Sequence, residues 1–179
     1  MGFLFSILYA PVVFYALRHY DVKSVALMIF VTTFVWFLSL KEKRNFMAMF
    51  PLFYMFVGVT AYFSEAFLVI KLLPLFLSIF FTLTLLISYL KKESLILYFA
   101  KKFSKVEIDE VEEQYIHRST LFWFAVGVLN VLAHLTVFFS SNLSIWVYYS
   151  SFGWYFLFIV AGVIQFLHRH FIFLRRRNV

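Results

Sequence analysis

The chain contains no cysteine, only five glycines and three prolines, and few charges: 14% of its 179 residues are Asp, Glu, Lys or Arg. Each scarcity excludes something. Without cysteine there is no disulfide framework, thiol nucleophile or thiolate metal site. Five scattered glycines form no Gly-rich phosphate loop, and neither a G-x-S-x-G elbow nor an H-E-x-x-H zinc helix occurs. The acidic residues do not pair within any apolar run, so no transmembrane carboxylate relay is expected. On these grounds no catalytic residue, no metal and no cofactor is expected.

Apolar residues fill the space instead, at 64% of the chain, with 23% aromatic. A soluble domain is about 45–50% apolar and about 25% charged, because a small domain must cover its surface with polar groups. The composition excludes a soluble enzyme, a disordered chain and a nucleic-acid-binding domain. The net charge of +7 reads as basic loops on the cytoplasmic side of a membrane.

A hydrocarbon core about 30 Å thick takes about 20 helical residues. Six runs approach that length: about 3–17, 25–40, 46–63, 72–90, 120–139 and 146–167. They are continuously apolar rather than alternating, which excludes a β-barrel. The expectation is an all-α integral membrane protein, a single bundle of about six spans over 1–179. A five-span alternative makes the first segment re-entrant or interfacial. The opening residues lack a basic segment and a small-residue cleavage site, so no removed leader is expected. Pro11, Pro51 and Pro74 all fall within apolar runs and are expected to bend them.

Lysine and arginine set the orientation. With six spans, one side holds the Lys41/Lys43/Arg44 turn, the loop 91–119 and the tail 168–179, and carries thirteen basic residues; the other side, with Arg18, Lys23 and Lys71, carries three. Both termini are expected in the cytoplasm. In the long loop, Leu95, Ile96, Phe99 and Phe103 share a side that excludes Lys101 and Lys102, the pattern of a short amphipathic helix lying in the interface. Ser104 and Glu107 make a capping box. The acids Asp109, Glu110, Glu112 and Glu113 then open the helix leading into the fifth span, where negative charge is favoured.

Within the fifth span, Trp123, Gly127, Asn130 and His134 recur at steps of four, three and four, one face of a helix. Asn130 and His134 should point into the bundle, where they find hydrogen bonds that lipid cannot supply. In the sixth span, Tyr155, Gly162, Gln165 and Arg169 run toward the cytoplasm. Arg118 and Arg169 near that interface would suit a phosphate or carboxylate headgroup. The Trp146–Tyr149 and Trp154–Tyr155 stretches fit an aromatic belt on the opposite surface.

The residues Tyr115-Ile-His117-Arg118-Ser-Thr120-Leu-Phe-Trp123, then Asn130, Trp146-x-x-Tyr149 and Tyr155, resemble a bacterial inner-membrane family that accompanies fatty-acid-synthase-like and aryl-polyene biosynthetic clusters. That family's last-helix Glu and Arg fall on Gln165 and Arg169 of this chain. With the motif, Tyr115, Arg118, Gln165 and Arg169 become the candidates for ligand or headgroup binding. Pro11-Val-Val-Phe-Tyr-Ala followed by Tyr20-Asp21, with Phe122 to Asn130 and Trp146, is similar to the intracellular septation protein A family. The absence of a catalytic constellation and the one charged cytoplasmic loop make a non-enzymatic accessory or scaffold the expectation, and the first resemblance would place it in lipid, polyene or envelope biosynthesis. Its partners would be membrane lipids and cytoplasmic acyl-carrier or envelope-synthesis proteins, bound through residues 91–119. A lipid-binding carrier holding an acyl chain is the alternative, and a septation or envelope-maintenance role is another. A membrane enzyme using His117 or His134 ranks last.

Overall fold

The computed structural model describes residues 2–40, 49–103 and 108–175, with side chains from residue 11 onward and from residue 50 in the second stretch. The Lys41/Lys43/Arg44 turn, the Ser104–Glu107 capping box and the tail residues Arg176 and Arg177 lie outside the described residues.

Every regular element among the described residues is helical. They are α1 (Gly2–His19), α2 (Val22–Ser39), α3 (Met49–Ser64), α4 (Phe67–Leu90), α5 (Leu95–Phe103), α6 (Glu110–Phe139) and α7 (Leu143–Leu174). In α7 the hydrogen bonding widens to π-helical turns at Tyr149–Gly153 and Arg169–Leu174. Helices α2, α4, α6 and α7 are long and apolar enough to cross a membrane, and Phe50–Ser64 within α3 is a shorter apolar helix. The chain is thus an all-α protein of the membrane-spanning type.

The helices outrun the apolar runs that announce them. Helix α6 begins at Glu110, ten residues before the uncharged stretch starting at Thr120, with Asp109 Oδ1 accepting the Glu112 N–H at 2.9 Å. Helix α4 begins at Phe67. Lys71, which the apolar run excludes as a loop residue, therefore sits inside a helix, and it is only 4% exposed.

The chain divides into two compact units: Met1–Phe76 with Val137–Ser151, and Leu77–Thr136 with Phe152–Val179. In the first, α2 and α3 form a tight pair. Val25, Ala26, Ile29 and Thr33 make the buried stripe of α2, and Tyr54, Val57 and Ala61 that of α3. Gly58 sets their separation: a Cβ there would lie 3.1 Å from the Ala26 carbonyl oxygen and 3.3 Å from the Phe30 nitrogen. Small residues at such crossings let two backbones approach, which is where helix association in lipid gains its dispersion energy. Asp21 caps α2 by accepting the Ser24 N–H at 3.3 Å. Hydrogen bonding from Ser24 holds its carboxyl below the usual value. Lys23 pairs with Glu65 at 2.8 Å.

In the second unit α4, α6 and α7 pack with α5 at one end. Phe81 of α4 meets Phe158 of α7 edge-on at 6.0 Å, and Trp123 of α6 stacks on the same Phe158 at 6.0 Å. Helix α5 spans the residues whose amphipathic spacing announces it. Ser94, just before it, bonds Thr120, and Lys101, seven residues on, pairs with Glu113, seven residues back along α6. Equal steps on both helices mean that α5 runs alongside the first turns of α6, antiparallel to it.

Candidate functional site

Two polar constellations stand out in the second unit. The first runs along the contact between α4 and α6. Asn130 is 5% exposed and His134 4%. The Asn130 Nδ2 donates to Ser78 Oγ at 2.8 Å. One turn along α4, Thr82 packs against Gly127 so closely that a Cβ on the glycine would lie 2.7 Å from Thr82 Oγ1. Two further turns along, Tyr89 stacks on His117 at 4.9 Å. Ser78, Thr82 and Tyr89 thus meet Asn130, Gly127 and His117 in one antiparallel register. Thr82 Oγ1 also donates to its own Ser78 carbonyl at 2.8 Å, which locks a side chain already stiff at χ1.

The second constellation lies where α6 begins and α7 ends. Tyr115 Oη and His168 Nδ1 share a hydrogen bond of 3.1 Å. One turn earlier on α6, Glu112 pairs with Arg169, and Lys101 of α5 pairs with Glu113. The Tyr115 ring stacks on His168 at 5.8 Å and on Phe173 at 4.2 Å. In a regular α-helix two side chains five apart do not share a face. The wide turn over Arg169–Leu174 aligns positions i and i+5, so both rings reach the same tyrosine.

The sequence candidates fare differently. Tyr115 and Arg169 belong to the second constellation. Gln165 lies one turn before Arg169, half-buried, and its carbonyl accepts the Arg169 N–H. Trp123 is half-buried over Gly162, whose absent Cβ would sit 3.9 Å from the indole. Arg118 is exposed and makes no hydrogen bond or ion pair among the described residues. Arg169 is held by Glu112. Among the described residues no three His, Asp or Glu side chains gather closely enough to hold a metal ion.

Sequence reasoning missed Ser78, Thr82, Glu112, His168 and, in the first unit, Lys71. The signal for the α4 residues is periodic: Lys71, Ser78 and Thr82 fall at steps of seven and four on one helical face. Lys71 Nζ donates to the Phe138 carbonyl at 2.7 Å and the Ser140 carbonyl at 3.0 Å. It also lies 5.8 Å from both the Phe67 and the Phe138 ring centres. Helix α6 has no basic residue in its last turn, so a lysine from another helix satisfies carbonyls that would otherwise be orphaned and meets the negative end of the helix dipole.

The tyrosine, not the ion pair, should dominate the second constellation. An exposed pair contributes at most about 1 kcal/mol, whereas removing a half-buried aromatic side chain with two ring partners costs about 2–4 kcal/mol. Thermal unfolding in detergent should show Tyr115→Ala losing more than Arg169→Ala. The reverse ranking would make Arg169 the anchor of that end.

Comparison with protein-family profiles, with curated proteins and with solved structures finds no match.

Proposed function

We propose that the chain is a bacterial inner-membrane accessory protein of six spans with both termini in the cytoplasm. Its task is to hold enzymes of lipid, polyene or envelope synthesis at the membrane, not to catalyse a step itself. The family resemblance of residues 115–169 belongs to the same proposal. The observation that carries it is the way the charged groups at one end are engaged with one another. Lys101 with Glu113, Glu112 with Arg169 and Tyr115 with His168 tie α5, α6 and α7 together. Such pairing makes a firm mount and occupies the groups that a reaction would need. It also leaves Glu110, Val111 and Gln114 exposed on the outer side of α6, where a cytoplasmic partner would dock.

Orientation rests on the excess of basic residues on one side. The chain has no cysteine, so single cysteines report cleanly. In intact cells a membrane-impermeant maleimide should label Ser141→Cys and not Glu110→Cys. Labelling of Glu110→Cys from outside would reverse the topology.

The scaffold reading is tested in the native membrane with a photo-crosslinking residue at Val111 or Gln114. Attachment to enzymes of acyl-chain or envelope synthesis, lost when Glu110 is changed to lysine, supports it. Crosslinks to lipid alone, with unchanged envelope composition in Glu110→Lys cells, would end it.

A further inference from the structure

We propose that α5 is a leaflet probe: its exposed aromatic and lysine face enters the acidic headgroup layer of the bilayer edge-on, deepest at its first turn.

Three observations place the helix. Its start is pinned, because Ser94 is buried and its hydroxyl bonds Thr120 Oγ1 at 2.6 Å. Thr120 is where the charge-free part of α6 begins, a stretch about 30 Å long that matches the hydrocarbon core. The first turn of α5 is thus held at the membrane boundary. Its reach is also limited: nine residues of helix extend about 13 Å, so the helix stays near the polar layer whatever its tilt. Its direction is set by the Lys101–Glu113 pair, which keeps it beside α6 and leads it outward from that boundary.

The exposed side chains of α5 carry the chemistry. Tyr98 is 59% exposed and Phe103 75%, with Phe99 between them also exposed. The Phe99 and Phe103 rings stack at 6.2 Å, and Tyr98 meets Phe99 edge-on at 5.6 Å. Lys102 lies 5.9 Å from the centre of the Tyr98 ring. Lys91 and Lys92, at the end of α4, are exposed as well. Contiguous aromatic rings left in water lose their burial free energy, and amphipathic rings belong at the headgroup level. Lysines beside them can extend their stems over the rings and place ammonium groups among phosphates. Each such charge near an anionic surface strengthens binding. The paired Lys101 is taken by Glu113, so Lys91, Lys92 and Lys102 supply the charge that an acidic leaflet complements.

The edge-on posture makes a graded expectation that a flat helix would not. Leu95 is deepest, Phe99 intermediate and Phe103 shallowest. The full chain is reconstituted in nanodiscs of phosphatidylcholine alone or of equimolar phosphatidylcholine and phosphatidylglycerol. Spin labels are placed at single cysteines replacing Phe99, Phe103 or, as an aqueous reference, Glu110. In the acidic discs, accessibility to a water-soluble nickel chelate should fall several-fold at position 99 relative to 110, with 103 between the two. Neutralising Lys91, Lys92 and Lys102 together, each changed to glutamine, should restore accessibility without altering the reference site. Labels at 99 and 103 as open as the one at 110 in both lipids would overturn the proposal and leave the face for a protein partner. Equal protection in both lipids would overturn the acidic selectivity, and equal depth at 99 and 103 would overturn the edge-on posture.

Discussion

Gly127→Ala destabilises the protein by about 1–3 kcal/mol, and Gly127→Val by more, through overpacking of the contact between α4 and α6. The new Cβ would lie 2.7 Å from Thr82 Oγ1, 3.2 Å from its Cγ2 and 3.3 Å from its Cβ. Rotating the hydroxyl away does not relieve this, because two further atoms of a β-branched side chain remain in contact. The hydroxyl is moreover held to the Ser78 carbonyl. Separating the helices instead stretches the Asn130–Ser78 hydrogen bond, one turn away. Buried Asn130 cannot turn to water for a replacement in lipid. Thermal unfolding in detergent measures the loss. The double variant Gly127→Ala/Thr82→Ala should recover most of it, since the alanine removes the two closest atoms, and the departure from additivity measures the coupling. A Gly127→Ala protein as stable as the parent would show that the close approach is not needed.

Lys71→Met is the second substitution with a large expected effect. It keeps the length and apolar stem but removes the donor from the Phe138 and Ser140 carbonyls. A buried polar group left without its partner costs about 1–3 kcal/mol. Release from burying an ammonium offsets part of that penalty, so the net loss should be a few kcal/mol rather than the sum of both bonds. Lys71→Glu places a carboxylate against carbonyl oxygens and should fail to accumulate in the membrane. Faster proteolysis in the segment 140–142 of Lys71→Met would localise the damage to the end of α6. An unchanged melting temperature and cleavage pattern would mean that the carbonyls find water instead.

The contrast between these two residues shows what the sequence could carry. Asn130 and Gly127 were legible because their steps along α6 are a property of one helix. Their partners Ser78 and Thr82 were not, because the register of α4 against α6 depends on packing rather than on local pattern. Lys71 was misplaced for a different reason. Hydropathy marks where a chain is oily, not where its helix begins, and a lysine at the edge of an apolar run reads as the loop. Its true setting depends on carbonyls contributed from 67 and 69 residues away. Helix α5 was legible in its bounds, since amphipathic spacing is local. Its direction was not, because the Ser94–Thr120 and Lys101–Glu113 ties belong to two helices at once. The same holds for Glu112 with Arg169, a pair that joins two helices.

The widened turn at the end of α7 imposes a constraint on chain length rather than on residue type. His168 and Phe173 reach one tyrosine because five positions separate them. Deleting one residue from 170–172 would close the turn to ordinary helical spacing and swing one ring off Tyr115, although Tyr115, His168 and Phe173 all remained. Conservative exchanges of Phe171 or Ile172, both exposed, should pass unnoticed, while a gap of one codon should not.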